Sequence, residues 1–252
     1  MTLHRFYIPP AFWNPSHLEL GEAESRHARE VLRLRPGDAV SLFNGQGAEI
    51  HARILEHRKR STTLTAETEL HTPAPAVELM LAQAIPKGKN MDLVLQKAAE
   101  LGATAIFPLI TERTVVRPTA EEAADKQEKW QRIVIEACKQ CGQNHLPKVH
   151  QPQSFDAFLS SLPPAHLRLM AALLPEALPL YALLAEDANP LQKAMILIGP
   201  EGDFTPAELA FGLAAGFLPL SLGPIILRTE TAALAALTIT GYELSRRARL
   251  AT

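Results

Sequence analysis

The segment Ala194-Met-Ile-Leu-Ile-Gly-Pro-Glu-Gly-Asp-Phe-Thr-Pro-Ala-Glu208 decides the fold class of this chain. Its first five residues carry no polar side chain, which is typical of a parallel strand buried on both faces. Its last four residues predict the start of a helix, because Thr205 suits the N-cap, Pro206 the first helical position and Glu208 the third residue of a capping box. A glycine-containing loop between a buried strand and a helix indicates an α/β sheet.

A second loop of this kind is Leu222-Gly-Pro-Ile-Ile-Leu-Arg-Thr-Glu-Thr231, which follows a predicted strand and enters a helix predicted from about Thr229 to Arg247. In open parallel sheets, ligands bind outside the carboxyl ends of the strands. Glycine allows close approach of the backbone and proline fixes the loop, so these loops suit the hydrogen-bonding edge of an adenine ring. Neither loop has the glycine fingerprint of a dinucleotide site or a P-loop.

Outward from these loops, apolar strands alternate with amphipathic helices after about residue 77. This alternation predicts a mostly parallel sheet with helices on both faces. The predicted strands are 77–84, 105–110, 167–173, 194–199 and 219–223. A predicted helix begins at Thr119, where Glu122 completes a capping box, and another carries Met91, Val94 and Leu95 on one face.

The first 70 residues are predicted to form a small β-barrel with one helix. Short alternating strands are separated by turns, and Asn44-Gly45 is a strong hairpin signal. The helix is predicted at Ser25–Leu34. Prolines 73 and 75 predict an extended linker. We therefore expect two domains, residues 1–72 and residues 73–252.

Composition excludes several classes of protein. The chain has 252 residues, of which 47% are hydrophobic and 21% charged, as in ordinary globular proteins. It has no apolar run near the roughly 20 residues that cross a bilayer, and its opening residues lack the layout of a secretion signal. The expected location is cytoplasmic. The net charge of −2 excludes a uniformly basic surface but allows local basic patches that bind nucleic acid.

The two cysteines form a Cys138-Lys-Gln-Cys141 motif. Both are predicted on the apolar stripe late in a helix, where the helix dipole disfavours a thiolate. His145 and His150 follow too closely for a zinc finger. We therefore interpret both cysteines as buried packing residues and expect no metal.

Taken together, the two loops strongly resemble those of the 16S ribosomal RNA uridine-N3 methyltransferases, a family of the SPOUT superfamily. The resemblance covers nearly the whole chain in the same order. Other matching segments are Arg26-His-Ala-Arg-Glu-Val-Leu-Arg-Leu-Arg-Pro-Gly-Asp38, Gln96-Lys-Ala-Ala-Glu-Leu-Gly102, Glu112-Arg113 and Lys129-Trp-Gln-Arg-Ile133.

The resemblance implies a PUA-like N-terminal β-barrel that helps to hold RNA and a C-terminal SPOUT-type, trefoil-knotted sheet. It implies S-adenosylmethionine as the methyl donor, 16S ribosomal RNA of the small ribosomal subunit as the substrate, and a homodimer. It implies no membrane partner.

The resemblance and the loop positions also give candidate site residues. Arg228 is expected to stabilise negative charge on the uracil, and Glu201 or Glu230 to orient the base or accept its proton. The donor-binding residues are expected to be Leu173, Ile198, Gly199, Pro200, Glu201, Gly202, Leu222, Gly223, Leu227, Thr229, Thr231 and Ala232. The RNA-binding residues are expected to be Arg26, Arg29, Arg33, Lys87, Lys89 and Arg113.

Three positions depart from the family pattern. Asp203 replaces a usual glycine, and Ile225 and Gln143 replace common arginines. These departures concern the RNA contacts, and two alternatives remain open: a SPOUT methyltransferase for another RNA, and a ribosome-assembly factor without catalysis. A nucleotide-dependent oxidoreductase is disfavoured by the missing fingerprint.

Overall fold

The computed structural model describes residues 3–185 and 191–250. The chain forms two compact units. The N-terminal unit comprises Met1–Pro75 and Ile135–Leu146, and the C-terminal unit comprises Ala76–Val134 and Pro147–Thr252. The segment Ile135–Leu146 therefore packs with the N-terminal unit, whereas a single division after residue 72 assigns it to the C-terminal domain.

The N-terminal unit has a five-stranded sheet in the order β1-β3-β4-β5-β2. Only β1 and β3 pair in parallel; the other pairs are antiparallel. The strands are β1 (His4–Tyr7), β2 (Leu18–Leu20), β3 (Ala39–Phe43), β4 (Ala48–His57) and β5 (Thr62–His71). Alternate residues of these strands, including Phe6, Leu42 and Ile50, are fully buried and form the core of the unit.

The hairpin predicted at Asn44-Gly45 is present between β3 and β4, but its turn is longer than two residues. Phe43 pairs with Glu49, so the turn contains Asn44–Gly47. The Asn44 side chain accepts hydrogen bonds from the backbone N–H of Gln46 at 2.8 Å and of Ala48 at 3.2 Å. Asparagine thus stabilises this turn through its side chain.

The helix of the N-terminal unit begins earlier than predicted. It starts as α1 (Glu22–Arg26) and continues as one π-helical turn, His27–Val31. Ser25 is not its N-cap, because the Ser25 hydroxyl donates to the Leu20 carbonyl at 2.9 Å. Arg33, with φ of 55°, adopts a left-handed conformation after the helix.

The C-terminal unit has a seven-stranded sheet in the order β12-β10-β11-β6-β7-β8, with β9 also pairing with β7. All of these pairs are parallel, which confirms the predicted fold class. The strands are β6 (Glu78–Ala84), β7 (Ala103–Ile110), β8 (Lys148–Val149), β9 (Gln153–Ser154), β10 (Leu167–Ala171), β11 (Lys193–Ile198) and β12 (Leu218–Leu220).

Helices cover both faces of this sheet. Residues such as Met80, Phe107 and Met195 pack on one face with phenylalanines from the α4 region. On the other face α7 approaches closely, because a Cβ atom added at Gly241 would lie 2.9 Å from Leu79 Cδ1. The helices are α2 (Asn90–Glu100), α3 (Ala120–Cys141), α4 (Phe155–Ser160), α5 (Leu180–Leu183), α6 (Pro206–Ala214) and α7 (Thr229–Leu250).

The predicted capping boxes are both present. Thr119 and Glu122 exchange hydrogen bonds at the start of α3, and Thr205 and Glu208 do so at the start of α6. In each case the threonine hydroxyl accepts from the third helical N–H while the glutamate accepts from the N-cap N–H. These boxes explain why both helices begin at the predicted positions.

The prediction for the cysteines is half wrong. Cys138 is buried, and burial raises the pKa of its thiol to about 12, so it is a packing residue. Cys141 is exposed. It is the last residue of α3.

Candidate functional site

A cavity of about 570 Å³ opens at the carboxyl ends of β10, β11 and β12. Three segments line it, one after each strand, as expected for an open parallel sheet. Its walls are mostly apolar side chains and backbone. The lining residues are Ala171, Ala172, Leu173, Leu174, Pro175, Ala177, Ile198, Gly199, Pro200, Glu201, Asp203, Leu220, Ser221, Leu222, Gly223, Ile225, Ile226, Leu227, Arg228, Thr229 and Ala232.

The loop after β11 is a tight turn that brings its backbone to the cavity. The Asp203 N–H donates to the Pro200 carbonyl at 2.9 Å. A Cβ atom added at Gly199 would lie 3.1 Å from the Phe204 ring, so a larger residue here would press on this ring. Asp203 has φ of 59°, a left-handed conformation that glycine adopts without strain. The departure at Asp203 therefore concerns backbone conformation, and its carboxylate caps the Phe204 N–H at 2.8 Å.

The loop between β12 and α7 presents backbone, apolar side chains and one cation. Gly223 has φ of 112°, and a Cβ atom added there would meet nothing within 4 Å. Ile225 and Ile226 are each 75% exposed at the rim of the cavity. The Arg228 side chain is exposed and has no hydrogen bond or ion pair within residues 3–185 and 191–250.

Neighbouring loops hold the loop after β11 in place. The Glu201 carboxylate accepts the Lys87 backbone N–H at 2.8 Å, and the Arg113 guanidinium donates to the Gly202 carbonyl at 2.6 Å. At the start of α6, the Glu208 carboxylate accepts the Glu112 N–H at 2.8 Å. Arg113, predicted as an RNA contact, thus has a structural contact with this loop.

Most of the residues predicted to bind the donor line the cavity, but two do not. Gly202 lies against Arg113, where an added Cβ atom would be 3.3 Å from the arginine Cδ. Thr231 is exposed in the first turn of α7. Of the predicted catalytic residues, Arg228 and Glu201 line the cavity and Glu230 does not.

The predicted RNA-binding residues lie in both units. In the N-terminal unit, Arg26 and Arg33 are exposed, while Arg29 donates to the Arg58 carbonyl at 3.0 Å and to Glu30 at 2.9 Å. In the C-terminal unit, Lys87 and Lys89 are exposed in the loop between β6 and α2. The three arginines of the N-terminal unit lie on one short helix and the residues after it.

Sequence reasoning missed much of the third wall of the cavity. The segment after β10 contributes Leu174, Pro175 and Ala177 as well as the predicted Leu173. The rule that ligands bind at the carboxyl ends of strands could have found this segment, since the strand itself was predicted. Its residues carry no motif of their own.

The site can hold a ligand that has an apolar body and a hydrogen-bonding edge. Its volume is in the range of small-molecule sites, roughly 300–1,000 Å³. Gly199 is buried and Gly223 is exposed, and both line the cavity. Arg228 contributes a positive charge to the lining, and Glu201 and Asp203 contribute negative charges. Among the described residues there is no cluster of three or more histidine, cysteine, aspartate or glutamate side chains that could hold a metal ion. The described helices include none long and apolar enough to cross a membrane.

Comparisons with known proteins agree with this fold. Residues 72–241 match the RNA methyltransferase domain family, and residues 20–65 match the RNA methyltransferase PUA domain family. A ribosomal RNA small subunit methyltransferase E from Synechocystis is 34% identical over 93% of this chain and 76% of its own length. The protein of the same name from Bacillus subtilis is 28% identical over 87% of this chain and 88% of its own length.

Two solved structures are similar over nearly the whole chain. A methyltransferase from Legionella pneumophila, in complex with the cofactor S-adenosylmethionine, has a TM-score of 0.87 and 36% identity, covering 96% of this chain and 98% of its own. A ribosomal RNA small subunit methyltransferase E from Neisseria gonorrhoeae, bound to S-adenosylmethionine, has a TM-score of 0.84 and 34% identity, with coverage of 96% and 98%.

Proposed function

This chain belongs to the ribosomal RNA small subunit methyltransferase E family, and we propose that it transfers a methyl group from S-adenosylmethionine to N3 of a uridine in 16S ribosomal RNA. The observation that carries this proposal is the cavity formed by the segments after β10, β11 and β12. Relatives at 34–36% identity and with the same fold bind this donor.

The residues of the cavity fit the donor. Gly199 and Gly223 both line the cavity, and backbone groups there suit the adenine edge. Apolar side chains such as Leu173, Leu222 and Leu227 suit the faces of the adenine and the ribose. When bound, the donor supplies an electrophilic methyl group on a positively charged sulfur.

The protein's part in the reaction is to position the uridine and to manage one proton. N3 of uracil carries a proton that it must lose before or during methyl transfer. Arg228, exposed at the cavity and free of partners among the described residues, stabilises the negative charge that spreads onto the uracil oxygens. Glu201 is a better candidate than Glu230 for orienting the base or accepting the proton, because only Glu201 lines the cavity.

The same proposal includes a trefoil knot in the C-terminal unit. The support is the path of the chain after β12. This strand lies at the edge of the sheet, yet α7, which follows it, packs over the central strand β6. Between them the chain passes the loop after β11, where the Thr229 hydroxyl donates to the Gly199 carbonyl at 2.6 Å.

We also propose that the enzyme works as a homodimer. Leu173, Ile225 and Ile226 are 62%, 75% and 75% exposed at the rim of the cavity. Exposed apolar residues grouped around a site indicate a surface that another molecule covers. We propose that a second copy of the chain covers this rim.

The proposed substrate contacts are Arg26 and Arg33 in the N-terminal unit and Lys87 and Lys89 in the C-terminal unit, all of them exposed cations. Ribosomal RNA as the proposed substrate supports a cytoplasmic location for the enzyme. The target base has to leave its stack to reach a donor held in a cavity.

The experiment that tests the proposal measures transfer of labelled methyl groups. Purified protein is incubated with labelled S-adenosylmethionine and one of four substrates: small ribosomal subunits that lack the modification, naked 16S RNA, large subunits or transfer RNA. We expect label in the small-subunit RNA only. Label in another RNA would indicate a methyltransferase with a different target. Donor binding without transfer to any RNA would indicate an assembly factor.

A further inference from the structure

Gln83 is a buried polar residue in an otherwise apolar strand. It lies in β6, whose sequence is Glu-Leu-Met-Leu-Ala-Gln-Ala, and its side chain is fully buried. In the sheet Gln83 pairs with Ile198, the residue just before Gly199. Gln83 does not line the cavity.

The Gln83 amide is linked to both ligand-binding loops through one hydroxyl group. Gln83 Nε2 donates to Thr229 Oγ1 at 3.0 Å, and Thr229 Oγ1 donates to the Gly199 carbonyl at 2.6 Å. Thr229 begins α7, after the second loop, whereas Gly199 begins the first loop. The three groups therefore form a chain of hydrogen bonds that joins the two loops at the cavity.

The direction of these hydrogen bonds follows from the number of protons. The Thr229 hydroxyl has a single proton, which goes to the Gly199 carbonyl because a carbonyl can only accept. Thr229 must then accept from Gln83. The second amide proton of Gln83 goes to the Ala84 carbonyl at 2.8 Å. The amide orientation is thus fixed, with Nε2 toward Thr229.

This orientation leaves the Gln83 carbonyl oxygen buried. Among the described residues, Oε1 of Gln83 has no hydrogen-bond partner. A buried acceptor without a partner destabilises the folded state, so an apolar residue of the same size would suit the strand better. The stability of the sheet does not explain a glutamine here, but its hydrogen bond to Thr229 does.

The geometry points to Gln83 as a positioning residue of the methyltransferase, which acts through Thr229 to hold the two donor-binding loops at their working separation. This inference rests on the proposed function, since it concerns the donor site. Gln83 touches neither donor nor uridine. Its contribution is to fix the Thr229 hydroxyl, and so the Gly199 backbone, before the donor binds.

The test is the variant Gln83→Met, which keeps the length of the side chain and removes both the oxygen and the nitrogen of the amide. We expect the dissociation constant for S-adenosylmethionine to rise roughly tenfold, the effect of one lost hydrogen bond in the donor site. We expect the melting temperature to stay the same or rise, because the buried unpaired oxygen is also removed. If Gln83 had a purely structural role, Gln83→Met would lower the melting temperature and leave the affinity for S-adenosylmethionine unchanged.

The matched control is Thr240→Val. Thr240 is fully buried on α7, and its hydroxyl likewise has no partner among the described residues. This substitution removes an unpaired buried oxygen from the unit without touching the loops, so donor affinity should stay at the wild-type value. If Gln83→Met fails to fold, Gln83→Leu keeps the test open, because it also removes the hydrogen bond to Thr229 and should show the same loss of donor affinity.

The double variant Gln83→Met/Thr229→Val shows whether Gln83 acts through Thr229. We expect it to bind the donor no more weakly than Thr229→Val alone. Wild-type affinity in Gln83→Met, or additive losses in the double variant, would overturn the inference. Failure of the wild-type protein itself to bind S-adenosylmethionine would instead overturn the proposed function.

Discussion

Arg228 is the residue on which the proposed chemistry depends most. It is exposed at the cavity and holds no other group among the described residues, so its removal should not affect folding. We expect Arg228→Ala to reduce the rate of methylation by about a hundredfold, as loss of one charge-stabilising donor does, with an unchanged melting temperature. The measurement is single-turnover methyl transfer beside thermal unfolding.

A suitable control for Arg228 is Arg132→Ala. Arg132 is exposed on α3 of the same unit and pairs with Glu128, one turn away. The variant Arg132→Ala should methylate RNA at the wild-type rate. Turnover of Arg228→Ala near that of wild type would show that another group stabilises the uracil.

Glu49 gives a prediction about pH and stability. Burial opposes ionisation of this carboxyl group, but hydrogen bonds from Ser41 and Asn144 and the charge of Arg5 outweigh it, and they lower the pKa of Glu49. Asn144 belongs to the segment Ile135–Leu146, so the carboxylate helps to attach that segment within the N-terminal unit.

Because the pKa of Glu49 is lower in the folded state, its contribution to stability is present above the unfolded pKa and is lost as the pH falls through the folded pKa. Glu49→Gln should therefore reduce the free energy of unfolding at neutral pH by about 1 kcal/mol, allowing for solvent screening, and less in acid. Denaturant unfolding at several pH values measures this. If the free energies of unfolding of the wild type and of Glu49→Gln changed with pH in parallel, the lowered pKa of Glu49 would be refuted. The free energy of unfolding of Ser41→Ala should lie between those of the two proteins.

At the scale of elements, donor binding depends more on the conformation of the loops than on the strands that precede them. Gly223 has φ of 112° in the loop before α7, a conformation that costs other residues about 1–2 kcal/mol. We expect Gly223→Ala to lower both the melting temperature and the donor affinity, since the backbone at this position lines the cavity. Calorimetric titration with S-adenosylmethionine gives the affinity.

Gly37→Ala is the matched control for this substitution. Gly37 has φ of 95° in a turn of the N-terminal unit, and an added Cβ atom would meet nothing within 4 Å. It carries similar backbone strain and should lower the melting temperature alone. Equal effects of the two variants on donor affinity would mean that the loop conformation at Gly223 is unimportant for binding.

The elements of the fold were largely predictable, for local physical reasons. The capping boxes at Thr119 and Thr205 and the apolar run before Gly199 each depend on residues that are close in sequence. The four-residue turn at Asn44 and the early start of α1 were not predictable. They depend on a side-chain hydrogen bond of Asn44 and on a contact of Ser25 with Leu20 that periodicity does not show.

The candidate site was predictable where a motif marks it. The two glycine loops were found by their residues, and both line the cavity. Gln83 and the segment after β10 were missed because their role depends on the pairing of strands far apart in sequence, such as Gln83 with Ile198. Glu230 does not line the cavity, which its position in the sequence could not show, because the orientation of its side chain depends on how α7 turns after Thr229.

At the scale of the whole molecule, net charge and local charge act differently. The chain has a net charge of −2, so RNA affinity must come from patches of exposed cations. We expect 16S RNA binding to weaken steeply with salt, and Lys87→Ala/Lys89→Ala to reduce the log–log slope by about one to two. Donor binding should be unchanged, because alanine retains the backbone N–H that Glu201 accepts.

A control for this measurement is Lys193→Ala. Lys193 begins β11 and so lies at the amino-terminal edge of the sheet, opposite to the cavity, where it pairs with Glu78. The log–log slope of RNA affinity against salt concentration should be the same for Lys193→Ala as for the wild type. An equal change in slope for Lys193→Ala and the double variant would place the RNA elsewhere on the C-terminal unit.

The most direct test of the central claim is the identity of the methylated nucleoside. Small ribosomal subunits lacking the modification are treated with the protein and labelled S-adenosylmethionine, and the 16S RNA is digested to nucleosides and separated by mass. We expect the label to elute as 3-methyluridine. Label in a ribose methyl group or in another base, or no label at all, would contradict it.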